Sequence, residues 1–132
     1  MNRLRFLTAI MGAWSSAFAL DNQEDMPPFQ LPGVDGRIYD STEFNKSELL
    51  AIVFLSNHCP TSQIFQHRII RLAKEYRNKG LAVIAISPND PEAILPDELS
   101  HSALGDSLPE MALRAKELQY SFPYLYDGKT QE

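Results

Sequence analysis

"LLAIVFLSNHCPTSQIFQHRIIRLAKEYRNKGLAVIAIS" (49–87) decides the fold. It opens with seven consecutive apolar residues, 49–55, rich in β-formers. So short a run predicts a strand buried on both faces rather than a helix. From Pro60 the period changes. Phe65, Ile69, Leu72, Ala73 and Tyr76 share one face of a helix. Pro60 suits the first helical position, where its missing N–H leaves nothing unpaired. Lys74, Arg77 and Lys79 suit the negative end of the helix dipole, and Gly80 stops the helix. "LAVIAIS" (81–87) is a second apolar run. Strand, helix, strand at this spacing is a βαβ unit, so the two strands are expected to be parallel. The fold class is α/β, a central sheet with flanking helices.

Outward from this unit the signals are shorter. "FQLPGVDGRIY" (29–39) sets β-formers around Gly33 and Asp35-Gly36, which predicts a small hairpin. Asp40 with Glu43 three residues on is a capping-box pattern for a short helical turn. Residues 88–106 carry three prolines and no period, and read as a long loop. Ser107 with Glu110 opens a helix to about Gln119. "FPYLYD" (122–127) reads as a third strand, and Asp127-Gly128 as a turn. There is no internal repeat and no low-complexity segment.

The 132 residues suffice for one domain with one core. Apolar residues make up 44% and charged ones 22%, which excludes a disordered chain. A net charge of -5 speaks against a nucleic-acid partner. The start, "MNRLRFLTAIMGAWSSAFAL", places Arg3 and Arg5 before an uncharged stretch. Ala17-Phe18-Ala19 then fits the small-x-small pattern of a signal-peptidase site. The stretch is shorter than the ~20 residues of a membrane span. Residues 1–19 are therefore expected to be a cleaved signal peptide, 20–28 a flexible leader, and 29–132 the folded domain. The expected location is the periplasm or the extracellular space.

Cys59 is the only cysteine. One cysteine cannot form an internal disulfide, and in an exported chain it points to a reactive thiol or an intermolecular partner. In open α/β sheets, sites form beyond the carboxyl ends of the parallel strands. Cys59 falls there, at the start of a helix, where free N–H groups and the dipole favour a thiolate. A thiolate is the form that attacks disulfides and peroxides. Its neighbours supply candidates for support. His58 could stabilise a thiolate or accept its proton. Ser62, one turn into the helix, could donate a hydrogen bond to the sulfur. Gln63 could orient a substrate, and Arg68 lies too far along the helix to take part.

"PPFQLPGVDGRIYDSTEFNKSELLAIVFLSNHCPTSQ" (27–63) resembles the start of thioredoxin-like redoxins. The group joins alkyl hydroperoxide reductase/thiol-specific antioxidant proteins to periplasmic thioredoxin-like reductases. The hairpin with "LPGVDGR", the apolar strand, "HCP" opening a helix, "GLAVIAIS" and "FPYLYD" follow in the same order. The resemblance implies a thioredoxin-like fold and thiol chemistry at Cys59. It also marks departures. A CxxC partner would stand at position 62, where this chain has Ser62. Typical peroxiredoxins carry a proline seven positions before the cysteine and a threonine or serine three before; here those are Ile52 and Ser56. The last two strands and terminal helix of the fold would follow "YLYDGKTQE", so a further segment after Glu132 is expected.

The expected function is an exported oxidoreductase with a single working cysteine, acting on disulfide or peroxide substrates. An external thiol resolves the intermediate, with no cofactor and no bound metal. Two alternatives belong to other classes. One is a non-catalytic redoxin module that binds or spaces. The other is a copper chaperone using Cys59 with His58, His67 or His101, ligands suited to copper.

Overall fold

The computed structural model describes residues 26–129. The expected signal peptide, 1–19, and most of the expected leader lie outside the described residues. The chain order is β1 (Gln30–Pro32), β2 (Ile38–Asp40), a short 3-10 turn (Ser41–Phe44), β3 (Leu49–Phe54), α1 (Pro60–Tyr76), β4 (Leu81–Ser87), a second 3-10 turn (Glu98–His101), α2 (Leu108–Glu117) and β5 (Tyr124–Tyr126). A further 3-10 turn, Arg77–Lys79, extends α1 to Gly80.

The sheet has the order β3-β4-β5, and both pairings are parallel. β1 and β2 form the antiparallel hairpin expected from the turn residues. The hairpin meets the sheet at β5, where Gly33 bridges Leu125 and the Val34 N–H donates to the Tyr124 carbonyl at 3.0 Å. Gly36 turns the hairpin at φ 82°, and Gly80 ends the α1 extension at φ 84°. Both conformations are left-handed, open to glycine without strain. The Asp40–Glu43 and Ser107–Glu110 capping boxes both form, which fixes where each helical segment starts.

β4 is the centre of the domain. Its side chains alternate between two apolar layers. Val83 and Ala85 face α1 and α2, packing with Leu55, Ala73, Met111, Phe122 and Tyr124. Ile84 and Ile86 face the hairpin, packing with Phe29, Leu31, Tyr39 and Leu125. A central strand in a parallel sheet is covered on both faces, and β4 has the near-continuous apolar run this requires.

β3 departs from the expectation of burial on both faces. It lies at the edge of the sheet, and among the described residues no strand pairs with its outer side. Helix α1 covers the face carrying Ala51 and Val53. Of the opposite face only Leu50 packs against the hairpin layer. Ile52 and Phe54, on that same face by the strand's period of two, are 38% and 66% exposed. An apolar run cannot by itself distinguish a central strand from an edge strand.

The buried face of α1 also differs from the expected one. Gln66 and Ala73 are buried, and Ile69 and Ile70 pack against the core. Phe65, Leu72 and Tyr76 sit at the margin, between 39% and 44% exposed. The true stripe is thus rotated by about one residue, with a glutamine inside it. The long loop after β4 is irregular apart from its single 3-10 turn.

Candidate active site

Cys59 ends the loop from β3 and caps α1, with φ −74°, ψ 118° and Pro60 in the first turn. Its carbonyl accepts the first helical hydrogen bond, from the Gln63 N–H at 3.1 Å. The proline keeps the chain helical at once, so the amides of the first turn open toward the cysteine. The thiol makes no side-chain cap hydrogen bond. Its pKa is nonetheless lowered, chiefly by the Ser62 backbone N–H. Burial opposes this, while the Ser62 hydroxyl and then the Thr61 N–H and hydroxyl add to it. The effect is therefore one of donors oriented near the sulfur rather than of a closed hydrogen bond. The Ser62 hydroxyl is held in turn: its oxygen accepts the Ser56 N–H at 3.2 Å, which leaves its proton for the sulfur.

A second set of contacts surrounds Asp106, whose side chain has no solvent exposure. Four donors converge on it. The Asn57 N–H reaches Oδ1. The Ser56 hydroxyl reaches Oδ2 at 2.8 Å, His58 Nδ1 at 2.7 Å and Asn89 Nδ2 at 2.7 Å. A carboxylate's two oxygens can accept this many bonds. The Ser56 oxygen also accepts the Cys59 N–H at 3.3 Å and lies 2.9 Å from His58 Nδ1. Since Ser56 gives its one proton to Asp106, the proton between ring and carboxylate belongs to Nδ1 of His58.

Cys59 opens onto two shallow clefts. One, of about 280 Å³, is lined by Phe54, Ser56, His58, Ser62, Pro88 and Asn89. The other, of about 360 Å³, is lined by His58, Pro60, Asp97, Glu98 and His101. His58 borders both. An apolar wall from Phe54 thus stands on one side of the sulfur and an acidic, imidazole-bearing wall on the other.

The three residues expected at the site, Cys59, Ser62 and His58, come together. Their relations differ, however. Ser62 serves the sulfur, whereas His58 is bonded to Ser56 and Asp106 and is not among the groups that lower the thiol. Gln63 ties two loops together. Its Nε2 donates to the Asn57 carbonyl at 2.9 Å and to the His101 carbonyl at 3.4 Å. Arg68 stacks its guanidinium 5.2 Å from the Phe65 ring, away from the site as expected. Among the described residues, no three His, Cys, Asp or Glu side chains gather in a way that could hold a metal ion. His67 is exposed along α1 and lines neither cleft.

Asp106, Asn57 and Asn89 are the residues that sequence reasoning missed. Asp106 sits just before the Ser107 cap, in a stretch read only as loop. A lone acid beside a capping box looks like part of that cap, and nothing local connects it to residues 56–58.

Ser62→Ala removes one of the donors that lower the Cys59 pKa, so the variant's thiol should titrate higher. Its alkylation by iodoacetamide at pH 7 should be slower than in the wild type. An unchanged rate would show that the helix amides act alone.

A family model described as the AhpC/TSA family matches residues 23–132. No curated protein sequence matches the chain significantly. Among solved structures, an uncharacterized conserved protein from Geobacillus kaustophilus is 40% identical, with a TM-score of 0.70. The match covers 83% of this chain and 53% of that one. A hypothetical protein from Sinorhizobium meliloti is 34% identical, with a TM-score of 0.65, over 76% of this chain and 50% of that one. This chain therefore spans about half the length of these two relatives. A peroxidoxin from Mycobacterium tuberculosis shares the fold at 17% identity and a TM-score of 0.62, over 82% of this chain and 60% of that one. The thioredoxin-like fold and the cysteine at the helix start thus agree with the family match, and the chain belongs to the AhpC/TSA family of redoxins.

Proposed function

We propose that this redoxin works through one thiol. The observation that carries the reading is Cys59 itself, at a helix start, with its pKa lowered by the Ser62 amide and hydroxyl, and open to two clefts. The Cys59 thiolate attacks one sulfur of a disulfide. A mixed disulfide forms and the other sulfur leaves as a thiolate. An external thiol, as its thiolate, then attacks the mixed disulfide, releases the bound half and restores Cys59. With a peroxide the sulfur takes one oxygen and becomes a sulfenic acid, and water or an alcohol leaves. External thiols return it to the thiol by way of a mixed disulfide. Ser62 stands where a CxxC partner would be, so the resolving thiol comes from outside residues 1–132.

The test is mass spectrometry of the protein after brief exposure to hydroxyethyl disulfide, or to hydrogen peroxide with dimedone present. Cys59 should carry the mixed disulfide or the dimedone adduct. It should react faster than the same cysteine in an unstructured peptide of residues 54–68, and Cys59→Ser should carry nothing. A rate no greater than the peptide's would favour the reading as a binding or spacer module.

Export belongs to the same proposal, supported by Arg3, Arg5 and the Ala17-Phe18-Ala19 pattern. Protein recovered from the periplasm or medium should begin at Leu20. Soluble cytoplasmic protein that begins at Met1 would contradict it.

A further inference from the structure

His58 and Asp106 form a pair that thiolate activation leaves unexplained. The pair resembles the base and orienting acid of a catalytic triad, with the ring anchored to the acid through one nitrogen. Its Nδ1 is committed to Asp106 at 2.7 Å and lies 2.9 Å from the Ser56 hydroxyl. Only Nε2 remains to meet a substrate. The ring borders both clefts beside the sulfur. Asp106 is fully buried and held by three other donors, so it cannot swing away from the ring.

We propose that His58 is the general acid for the leaving group, and that Asp106 is the positioning residue that orients it. The inference rests on the thiol chemistry proposed above. When Cys59 attacks a disulfide, the bond between the two substrate sulfurs breaks and its electron pair goes to the departing sulfur. His58, as imidazolium, gives its Nε2 proton to that sulfur, so that a neutral thiol leaves. The neutral ring keeps its Nδ1–H, still donated to Asp106, and regains the other proton from water. Asp106 stays a carboxylate throughout. It sets which nitrogen faces the substrate. With a peroxide the same proton goes to the departing oxygen.

This role predicts a selectivity that structural support alone would not produce. An aromatic thiolate leaves readily without a proton, whereas an alkyl thiolate gains from one, because the leaving thiol's pKa governs the rate. The experiment uses the full chain and two disulfides, dithiobis-nitrobenzoate and hydroxyethyl disulfide. The readout is the ratio of the alkyl to the aromatic rate, in which changes in thiolate fraction cancel. His58→Gln and Asp106→Asn should each lower this ratio by about a hundredfold, within the range usual for a positioned acid. Ser62→Ala should slow both reactions alike and leave the ratio near the wild-type value. His58 is partly exposed, so His58→Gln serves even where Asp106→Asn fails to fold. An unchanged ratio in His58→Gln, with wild-type Cys59 still fast, would overturn the inference and leave the thiol reading standing. A wild-type Cys59 no faster than the peptide with either disulfide would overturn both.

Discussion

A carboxylate without solvent has to be met by donors, and in this protein Asp106 imposes that requirement on the whole end of the sheet. Leaving such a charge uncompensated costs on the order of several kcal/mol. The chain meets it with donors from two separate strand ends. Ser56, Asn57 and His58 follow β3, and Asn89 follows β4. Asp106 itself lies next to Ser107, which caps α2. One side chain thus draws together the segments that surround the thiol. Asn57 adds a second tie, its Nδ2 donating to the Gly105 carbonyl at 2.7 Å. Loops that would otherwise move independently are held in one arrangement.

That arrangement reaches the sulfur through a short relay. Asp106 accepts from the Ser56 hydroxyl, and the Ser56 N–H holds the Ser62 oxygen. The Ser62 hydroxyl and amide then lower the Cys59 pKa. The helix provides the amides, and the buried acid keeps the loop in register with them. The proposed chemistry separates two tasks that one histidine performs in many thiol enzymes. Activation of the nucleophile falls to α1 and Ser62. The histidine is left facing the clefts, fixed from behind.

The βαβ unit was legible because its signals are local: two apolar runs, a change of period at Pro60 and a stop at Gly80. Cys59 as helix cap followed from the same signals. The two misread surfaces depend on what lies beside an element. β3 has the composition of an interior strand, yet Ile52 and Phe54 face outward because only α1 covers it. On α1 the buried Gln66 replaces the expected Phe65, since the sheet meets the helix one residue further round. Asp106 was illegible for a related reason. Nearly fifty residues separate it from the loop it binds, and burial of an acid is a property of the assembled fold. Ser62 shows the opposite case, since one helical turn places it beside Cys59 whatever the rest of the chain does.

The central claim is that folding lowers the pKa of the Cys59 thiol. The direct measurement is the pH titration of thiolate ultraviolet absorbance, for folded protein and for protein unfolded in urea, with Cys59→Ser as the blank. A pKa lowered by folding means that the thiolate adds to stability above the unfolded thiol's pKa. That contribution fades as the pH falls through the folded value. The account predicts a folded thiol that titrates below the ~8.5 of a free cysteine, and an unfolded one close to it. A folded thiol that titrates at or above the unfolded value would contradict it.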